Sequence, residues 1–350
     1  MSQTLIARAE IALASPEATL DQMCDHLTSH GAVHRREGCR HHLCFSFGTA
    51  RLDQTRDGVD AQVEGTDLAA LQQLRAIIAG HLREFSSDPL SIRWTGDGSE
   101  LRHPVNFRML TVQSCDDLTP RMRRIRFAGA DLAMFAGLDH IHVRLLFPPD
   151  AEDTAWPMLG EDGLEHWPPE AVRPFDRRYT IRRIDTKAGW LEIDFVLHDD
   201  AAGPGSDFAQ SAAPDDRIGM IGPGGGGLPL DRDWYLIAGD LTALPAIARF
   251  LEVLPAEACG HVLLQRDDPS DELLLPAPAG MQILWVGSAD ALLDHATSLK
   301  PPTTADAPFV WVGCEDRAFR ALRKFARDDL GLRKGQHHIV SYWRAGDAEG

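Results

Sequence analysis

The spacing of apolar residues changes along this chain, and the changes divide it. Leu5 to Leu13 alternates loosely between apolar and polar positions, as a half-buried strand does. Ser15-Pro16-Glu17 then opens a helix, with Ser15 at the N-cap and Pro16 in the first turn, that runs to about His30 and stops at Gly31. His42 to Leu52 and Val59 to Val63 read as two more strands. Thr66 caps a second helix, where Leu68, Leu71, Leu74, Ile78 and Leu82 recur at helical spacing. Ser91 to Trp94 reads as a closing strand, and the polar, glycine-bearing run Thr95 to Glu100 reads as a linker. Residues 1–96 are therefore expected to form a small α/β (α+β) module.

Beyond the linker the period is mostly two. Phe107 to Val112, Met122 to Phe127 and His140 to Phe147 suit strands, with Ser114 to Pro120 as a loop. Residues 148–174 are rich in Pro, Asp, Glu and Trp and read as a long loop. In it, Trp156 and Trp167 either help cover a ligand or simply pack. Arg177 to Arg182 and Trp190 to His198 alternate again, with Leu191, Ile193, Phe195 and Leu197 on one face. Gly203-Pro204-Gly205 follows, with a helix start at Ser206, and then the strand Ile218 to Ile221. Gly222 to Gly227 formally satisfies G-x-G-x-x-G, but Leu228-Pro229-Leu230 follows and no helix opens there, so a dinucleotide fingerprint is rejected.

From Trp234 onward, apolar strands alternate with helices. Trp234 to Ala238, Leu263, Ile283 to Val286 and Phe309 to Val312 are the strands, and Leu241 to Leu254 is the first helix. That order implies a parallel sheet covered on both faces. The expected organisation is 1–96, 103–230 and 231–350.

Composition narrows the options. Of 350 residues, 44% are hydrophobic and 25% charged, ordinary values for a globular protein with ample core. A net charge of −17 argues against nucleic acid or an anionic membrane as general partners. The N-terminal apolar run is broken by Arg8 and Glu10, and no run approaches ~18 residues, so no membrane insertion and a cytoplasmic location are expected. Six cysteines, with no Cys-x-x-Cys, do not read as a disulfide framework. Cys24, His26 and His30 place three potential ligands near one helix face, His26 and His30 at i, i+4, with His34, Cys39, His41, His42 and Cys44 close behind. A metal site and an ordinary helix with one buried cysteine both fit this spacing, and no metal ligand is assigned.

The stretch from Arg177 to Gly205 carries the chemistry. An Arg pairs with phosphate, a Tyr ring lies on an aromatic tricycle, and a Thr hydroxyl meets a heterocycle edge. Backbone N–H groups at a helix start suit a pyrophosphate. A plain hairpin with a surface helix has the same spacing. The order Arg-x-Tyr-Thr-x-Arg, then Val-Leu-His, then Gly-Pro-x-Ser-x-aromatic-Ala resembles the flavin barrel of the siderophore-interacting proteins, bacterial ferric-siderophore reductases of the ferredoxin-reductase-like group. This resemblance implies an antiparallel Greek-key β-barrel that binds FAD, followed by an α/β nucleotide-binding lobe. It places Arg177, Tyr179, Thr180, Arg182, Val196, Leu197, His198, Gly203, Pro204, Gly205 and Ser206 on the flavin. Gly205 and Phe208 stand where relatives usually have Ala and Trp, and Asp199, Asp200 and Asp207 bring negative charge near the phosphates.

In the lobe, Gly239, Asp240, Thr242, Ala243, Gly313 and Glu315 lie in turns at the C-terminal ends of strands and are expected to hold NADPH or NADH. Cys314, between two of them, reads as a packed turn residue. Arg317, Arg320, Lys324 and Arg327 recur at helical spacing, as either an anion-attracting face or a solvated one. Tyr342-Trp343-Arg344-Ala345-Gly346 resembles the family's closing motif, and Arg344 is the expected substrate contact. The resemblance implies electron passage from NAD(P)H through FAD to a ferric siderophore, releasing Fe(II), with no catalytic side chain and with a ferredoxin as another conceivable donor. A related flavoenzyme with a different acceptor and a non-catalytic flavin- or metal-binding module are the alternatives. The first 96 residues resemble a small bacterial domain of unknown function.

Overall fold

A computed structural model of the chain describes residues 4–149, 154–197 and 203–346. It contains two compact units, Met1–Phe107 with Pro149–Pro174, and Arg108–Pro148 with Phe175–Gly350.

In the first unit a six-stranded sheet runs in the order Val33–Glu37, Arg40–Phe45, Gly48–Gln54, Gly58–Gly65, Leu5–Ala12, Thr95–Gly96, antiparallel throughout. The helices Pro16–Ser29 and Leu68–Phe85 pack on it, so the module is α+β as expected. Alternation in the first strand sends Ala7, Ala9 and Ile11 inward while Arg8 and Glu10 face out. Leu71, Leu74, Ile78 and Leu82 form the buried stripe of the second helix, each worth roughly 1.5–3 kcal/mol.

The details differ from the sequence reading at several points. Asp67, not Thr66, caps the second helix, accepting from the Ala70 amide at 2.9 Å. The expected strand over 42–52 is a hairpin turning at Ser46-Phe47, and the strand Val33–Glu37 was not expected at all. Thr95–Gly96, within the presumed linker, is the closing strand. The 148–174 stretch packs within the first unit. Trp94 donates its amide to the Glu161 carbonyl and its indole N–H to the Asp162 carbonyl, at 2.9 and 2.8 Å. Arg83 pairs with the buried Asp162 at 2.8 Å, and Leu164 packs on the core. Trp156 lies against Phe107 and Trp167 under the Arg173 guanidinium, which accounts for both rings by packing.

In the second unit, six antiparallel strands close a barrel in the order Phe175–Asp185, Trp190–Val196, Met122–Ala128, Phe107–Thr119, Arg217–Gly224, His142–Phe147. Its interior is filled by Leu110, Ile125, Phe127, Leu145, Ile193, Phe195 and Met220, among others. The expected loop over 114–120 is strand as far as Thr119. Asp117 pairs with Arg123 across the ladder at 3.5 Å, while Asp116 stands opposite Arg124, whose guanidinium binds Asp194 instead. After the glycine cluster the chain goes directly to another strand, with no helix.

That strand, Trp234–Gly239, is the centre of a five-stranded parallel sheet. Cys259–Gln265 and Gly280–Val286 lie on one side of it, and Pro308–Glu315 and His337–Trp343 on the other. The helices Leu244–Val253, Ala289–Ser298 and Asp316–Lys324 accompany it. Its last strand, mostly half-buried, had not been expected from the periodicity. Among the described residues, no helix is long and apolar enough to cross a membrane.

Candidate functional site

Thr180 sits near the middle of the barrel strand Phe175–Asp185, directly across the ladder from His142. Its hydroxyl lies 3.2 Å from His142 Nδ1, and Nε2 of the same ring lies 3.2 Å from the Tyr342 hydroxyl. Burial pushes His142 down to about 4, aided by His338, Arg249 and Arg178, so near neutral pH it carries a single proton. Tyr342 has no other hydrogen-bond partner among the described residues, so its proton belongs to this contact and it donates to Nε2. His142 then keeps its proton on Nδ1 and donates to Thr180 Oγ1. The Thr180 hydroxyl, with its acceptor side engaged, is left to donate its proton to a ligand.

The neighbours of Thr180 divide by role. Tyr179 packs its ring against Phe195 at 4.6 Å and edge-on to Phe147. Arg177 lies two residues before Tyr179 on the same strand, and one of its amino groups donates to the Asp176 carbonyl at 2.8 Å. Arg182, expected on the flavin, is buried, and it binds both oxygens of Glu252 at 2.8 and 2.7 Å. Arg249, one helical turn before Glu252, is also buried and donates to the Ile181 carbonyl at 2.7 Å. The lobe's first helix therefore holds the back of the strand that carries Thr180.

Gly203 is the N-cap of the helix Pro204–Ser211, which no side chain caps, and open space surrounds the position where a Cβ of Gly203 would stand. At Gly205 the opposite holds, since a Cβ there would meet the Tyr179 hydroxyl at 1.9 Å. Val196 and Leu197 are half-buried at the end of their strand, and Leu197 lines a hollow of about 460 Å³ with Thr119, Arg123 and Gln210. His198, Asp199 and Asp200 lie outside the described residues. Asp207 is exposed in the first turn of the helix.

The residues expected to bind nucleotide converge at the C-terminal edge of the parallel sheet. Gly239 and Gly313 are ladder partners, and a Cβ on Gly313 would strike the Tyr342 ring at 2.8 Å. Asp240, held above the usual carboxylate range by burial, accepts from the Thr242 amide and hydroxyl and from the Trp343 indole at 2.8 Å. Ala243 is buried beneath this turn. Glu315 caps the following helix by accepting from the Arg317 amide at 2.7 Å. These side chains organise the edge internally, leaving backbone and space to a ligand. Arg344 lies beyond it, lining a groove of about 710 Å³ with Arg317, Arg320 and Lys324.

Comparison with known proteins agrees with this geometry. A family model described as the siderophore-interacting FAD-binding domain matches residues 111–227, and one described as siderophore-interacting protein matches residues 232–346. Ferric vibriobactin reductase ViuB of Vibrio cholerae is 30% identical over 239 residues, covering 66% of this chain and 87% of that one. The chain belongs to the siderophore-interacting protein family. Among family structures, SipS from Aeromonas hydrophila superposes with a TM-score of 0.60 at 33% identity over 69% of this chain and 93% of that one. A siderophore utilization protein from T. fusca gives 0.58 at 34% identity over 70% and 95%. Residues 8–95 match an uncharacterized family conserved in bacteria, DUF2218.

The barrel is thus an FAD-binding domain, and its residues fit that cofactor. A hydroxyl aligned by a neutral histidine, an uncapped helix start beside open space, and an arginine on the same strand are donors for a heterocycle edge and for phosphate. Sequence reasoning missed His142, Arg249, Glu252 and the contact made by Tyr342. Only the polar opening of an otherwise apolar strand at His142 hinted at any of them.

Proposed function

We propose that this protein reduces ferric siderophores, using FAD in residues 103–230 and NADPH or NADH docked on residues 231–350. FAD, when bound, accepts two electrons from a nicotinamide and passes them on singly, which suits a one-electron acceptor such as chelated Fe(III). The observation that carries the reading is the Thr180 hydroxyl held by His142 and Tyr342 within a siderophore-interacting FAD-binding domain.

In this reading Arg177 and the start of the helix at Gly203 to Ser206 hold phosphate, Thr180 donates to the ring edge, and Tyr179, Val196 and Leu197 shape the ring's surroundings. Arg182 acts indirectly, fixing the strand through Glu252. Backbone at Gly239 to Ala243 and at Gly313 to Glu315 receives the nicotinamide donor. The groove of Arg317, Arg320, Lys324 and Arg344 attracts an anionic chelate to an otherwise acidic protein. Chelation by hard oxygens favours Fe(III), so reduction loosens the iron and needs no acid or base from the protein.

An anaerobic absorption titration tests this. The flavin band should bleach with NADPH or NADH and return when a ferric siderophore is added, as a ferrous trap colours. Bleaching without return would point to another acceptor. Absence of bound flavin after reconstitution would overturn the reading.

A further inference from the structure

The first unit contains a cluster that the flavin chemistry does not use. Cys24, on the inner face of the helix Pro16–Ser29, is fully buried. His34 and His41 come from the hairpin Val33–Glu37 and Arg40–Phe45 beneath it. His41 pairs with Arg36, two residues from His34, which brings both imidazoles to the face that meets the helix. Cys24 Sγ lies 3.5 Å from His41 Nδ1, His34 Nε2 lies 3.1 Å from the same nitrogen, and all three atoms are within 4.8 Å of one another.

We propose that Cys24, His34 and His41 form a binding site for a zinc-class divalent transition metal in the N-terminal unit, with a fourth position left for water or an added ligand.

Three observations support it. First, the spacing matches ligation. With Zn–S of about 2.3 Å and Zn–N of about 2.0–2.1 Å, tetrahedral geometry sets sulfur and nitrogen about 3.6 Å apart and two nitrogens about 3.3 Å apart. Second, hydrogen bonding alone cannot satisfy the cluster. His41 Nδ1 carries either one proton or one lone pair, yet it faces two partners at contact distance. An ion at the centre of the triangle engages a lone pair from each atom at once. The two rings are within 5° of parallel, and their nitrogens approach far closer than the 5.2 Å between centroids. They therefore meet through nitrogen atoms rather than face to face. Third, His41 is completely buried, and its other nitrogen has no hydrogen-bond partner among the described residues. A polar ring kept in a core at that cost needs a reason to be there.

A thiolate with two imidazoles suits zinc and other borderline ions better than calcium or magnesium, which take oxygen. Binding exchanges the thiol proton for the metal, so each Zn²⁺ bound at Cys24 releases one proton to solvent. The second histidine cluster of this unit, His26, His81 and Glu84, lies toward solvent on the two helices and is distinct from this site.

The test uses the full-length chain, stripped of metal and then titrated with Zn²⁺ against a chromophoric chelator and separately with Co²⁺. One Zn²⁺ per chain should be held in competition, and Co²⁺ should give a thiolate-to-metal charge-transfer band. Cys24→Ser should remove that band. His34→Gln, at a half-buried strand position, should weaken Zn²⁺ binding by about 100-fold or more, because loss of an outer-shell partner alone costs about 10- to 100-fold. His26→Ala with His81→Ala should leave both signals unchanged. The proposal is overturned if the folded wild-type chain, checked by circular dichroism, holds no Zn²⁺ in competition. It also fails if the band survives Cys24→Ser, or if affinity follows His26 and His81. None of these readouts involves flavin, so they stand apart from the reductase reading.

Discussion

Arg182 on the barrel strand and Glu252 on the first helix of the lobe grip each other through two hydrogen bonds of 2.8 and 2.7 Å. Arg183 adds a third contact to the same carboxylate at 2.7 Å. Barrel and lobe are thus joined behind Thr180 by a charge pair whose arginine is buried.

This pair should give the protein an acid-sensitive joint. Hydrogen bonding from Arg182 holds Glu252 far below the usual carboxylate range, at about 2. A depressed carboxylate stabilises the fold fully above its unfolded value of about 4.5 and ceases to do so as pH falls toward 2. Glu252→Gln should lower stability by about 3 kcal/mol, the low end for breaking a buried pair because Glu252 is partly exposed. Denaturant melts of wild type and variant should differ less at pH 3 than at pH 7, because the carboxylate's contribution is partly lost by pH 3. A constant gap would count against the pair.

Tyr342→Phe should disturb the Thr180 hydroxyl proposed to meet the flavin without unfolding the lobe. It leaves His142 Nε2 buried without a donor, a penalty of about 1–3 kcal/mol, and frees the ring to turn its proton away from Thr180. We expect weaker FAD binding and slower flavin reduction, with the same fold by circular dichroism. Wild-type His142 takes up a proton only near pH 4, whereas in the unfolded chain it does so near 6.5. Stability associated with it therefore falls as pH drops through that window, and the bound-flavin spectrum should be constant above it.

Gly205→Ala tests how tightly the start of the helix Pro204–Ser211 fits Tyr179. The added methyl would overlap the phenol oxygen, so the ring must shift. Melting temperature and FAD affinity should both drop, and a double-mutant cycle with Tyr179→Phe should show coupling, since removing the hydroxyl relieves the worst overlap. Additive effects would mean that the helix start moves instead of the ring.

Thiol titration should separate the cysteines by position. Cys39 and Cys44 are exposed and should react quickly with a disulfide reagent at pH 8. Cys24 and Cys314 are buried, and burial raises both thiols, Cys24 to about 12, so they should react only on unfolding. Rapid modification of Cys314 in the native protein would point to a redox role for it instead of packing.

The parts of the fold that sequence made legible were those with a clean period. Leu71 to Leu82 announced a helix, Arg177 to Thr180 a strand, and Trp234 to Ala238 a buried parallel strand. Polar strands such as Ser114 to Thr119 imitate loops because it is ladder pairing with Met122–Ala128, and not an apolar period, that makes them strand. The same holds at the site. Residues within one motif could be assembled from spacing, but Tyr342 meets His142 across 200 positions and Arg182 meets Glu252 across 70. Cys24 was grouped with His26, yet two residues are about 200° apart around a helix. They face opposite ways, and the partners of Cys24 come from strands instead.

Asp162 and Leu164 reach the first unit only after the barrel has begun, because the chain leaves the barrel after Pro148 and re-enters it at Phe175. A gene cut at the first linker would therefore yield neither half whole. Residues 1–96 alone would lose the carboxylate that pairs with Arg83 and the carbonyls that receive Trp94. Residues 103–350 alone would carry an insert whose Leu164 and Asp162 have lost the groups that cover and pair with them. Anyone wishing to study the FAD barrel without its N-terminal companion should shorten the insert as well as trim the terminus, and should expect aggregation where only the terminus is removed.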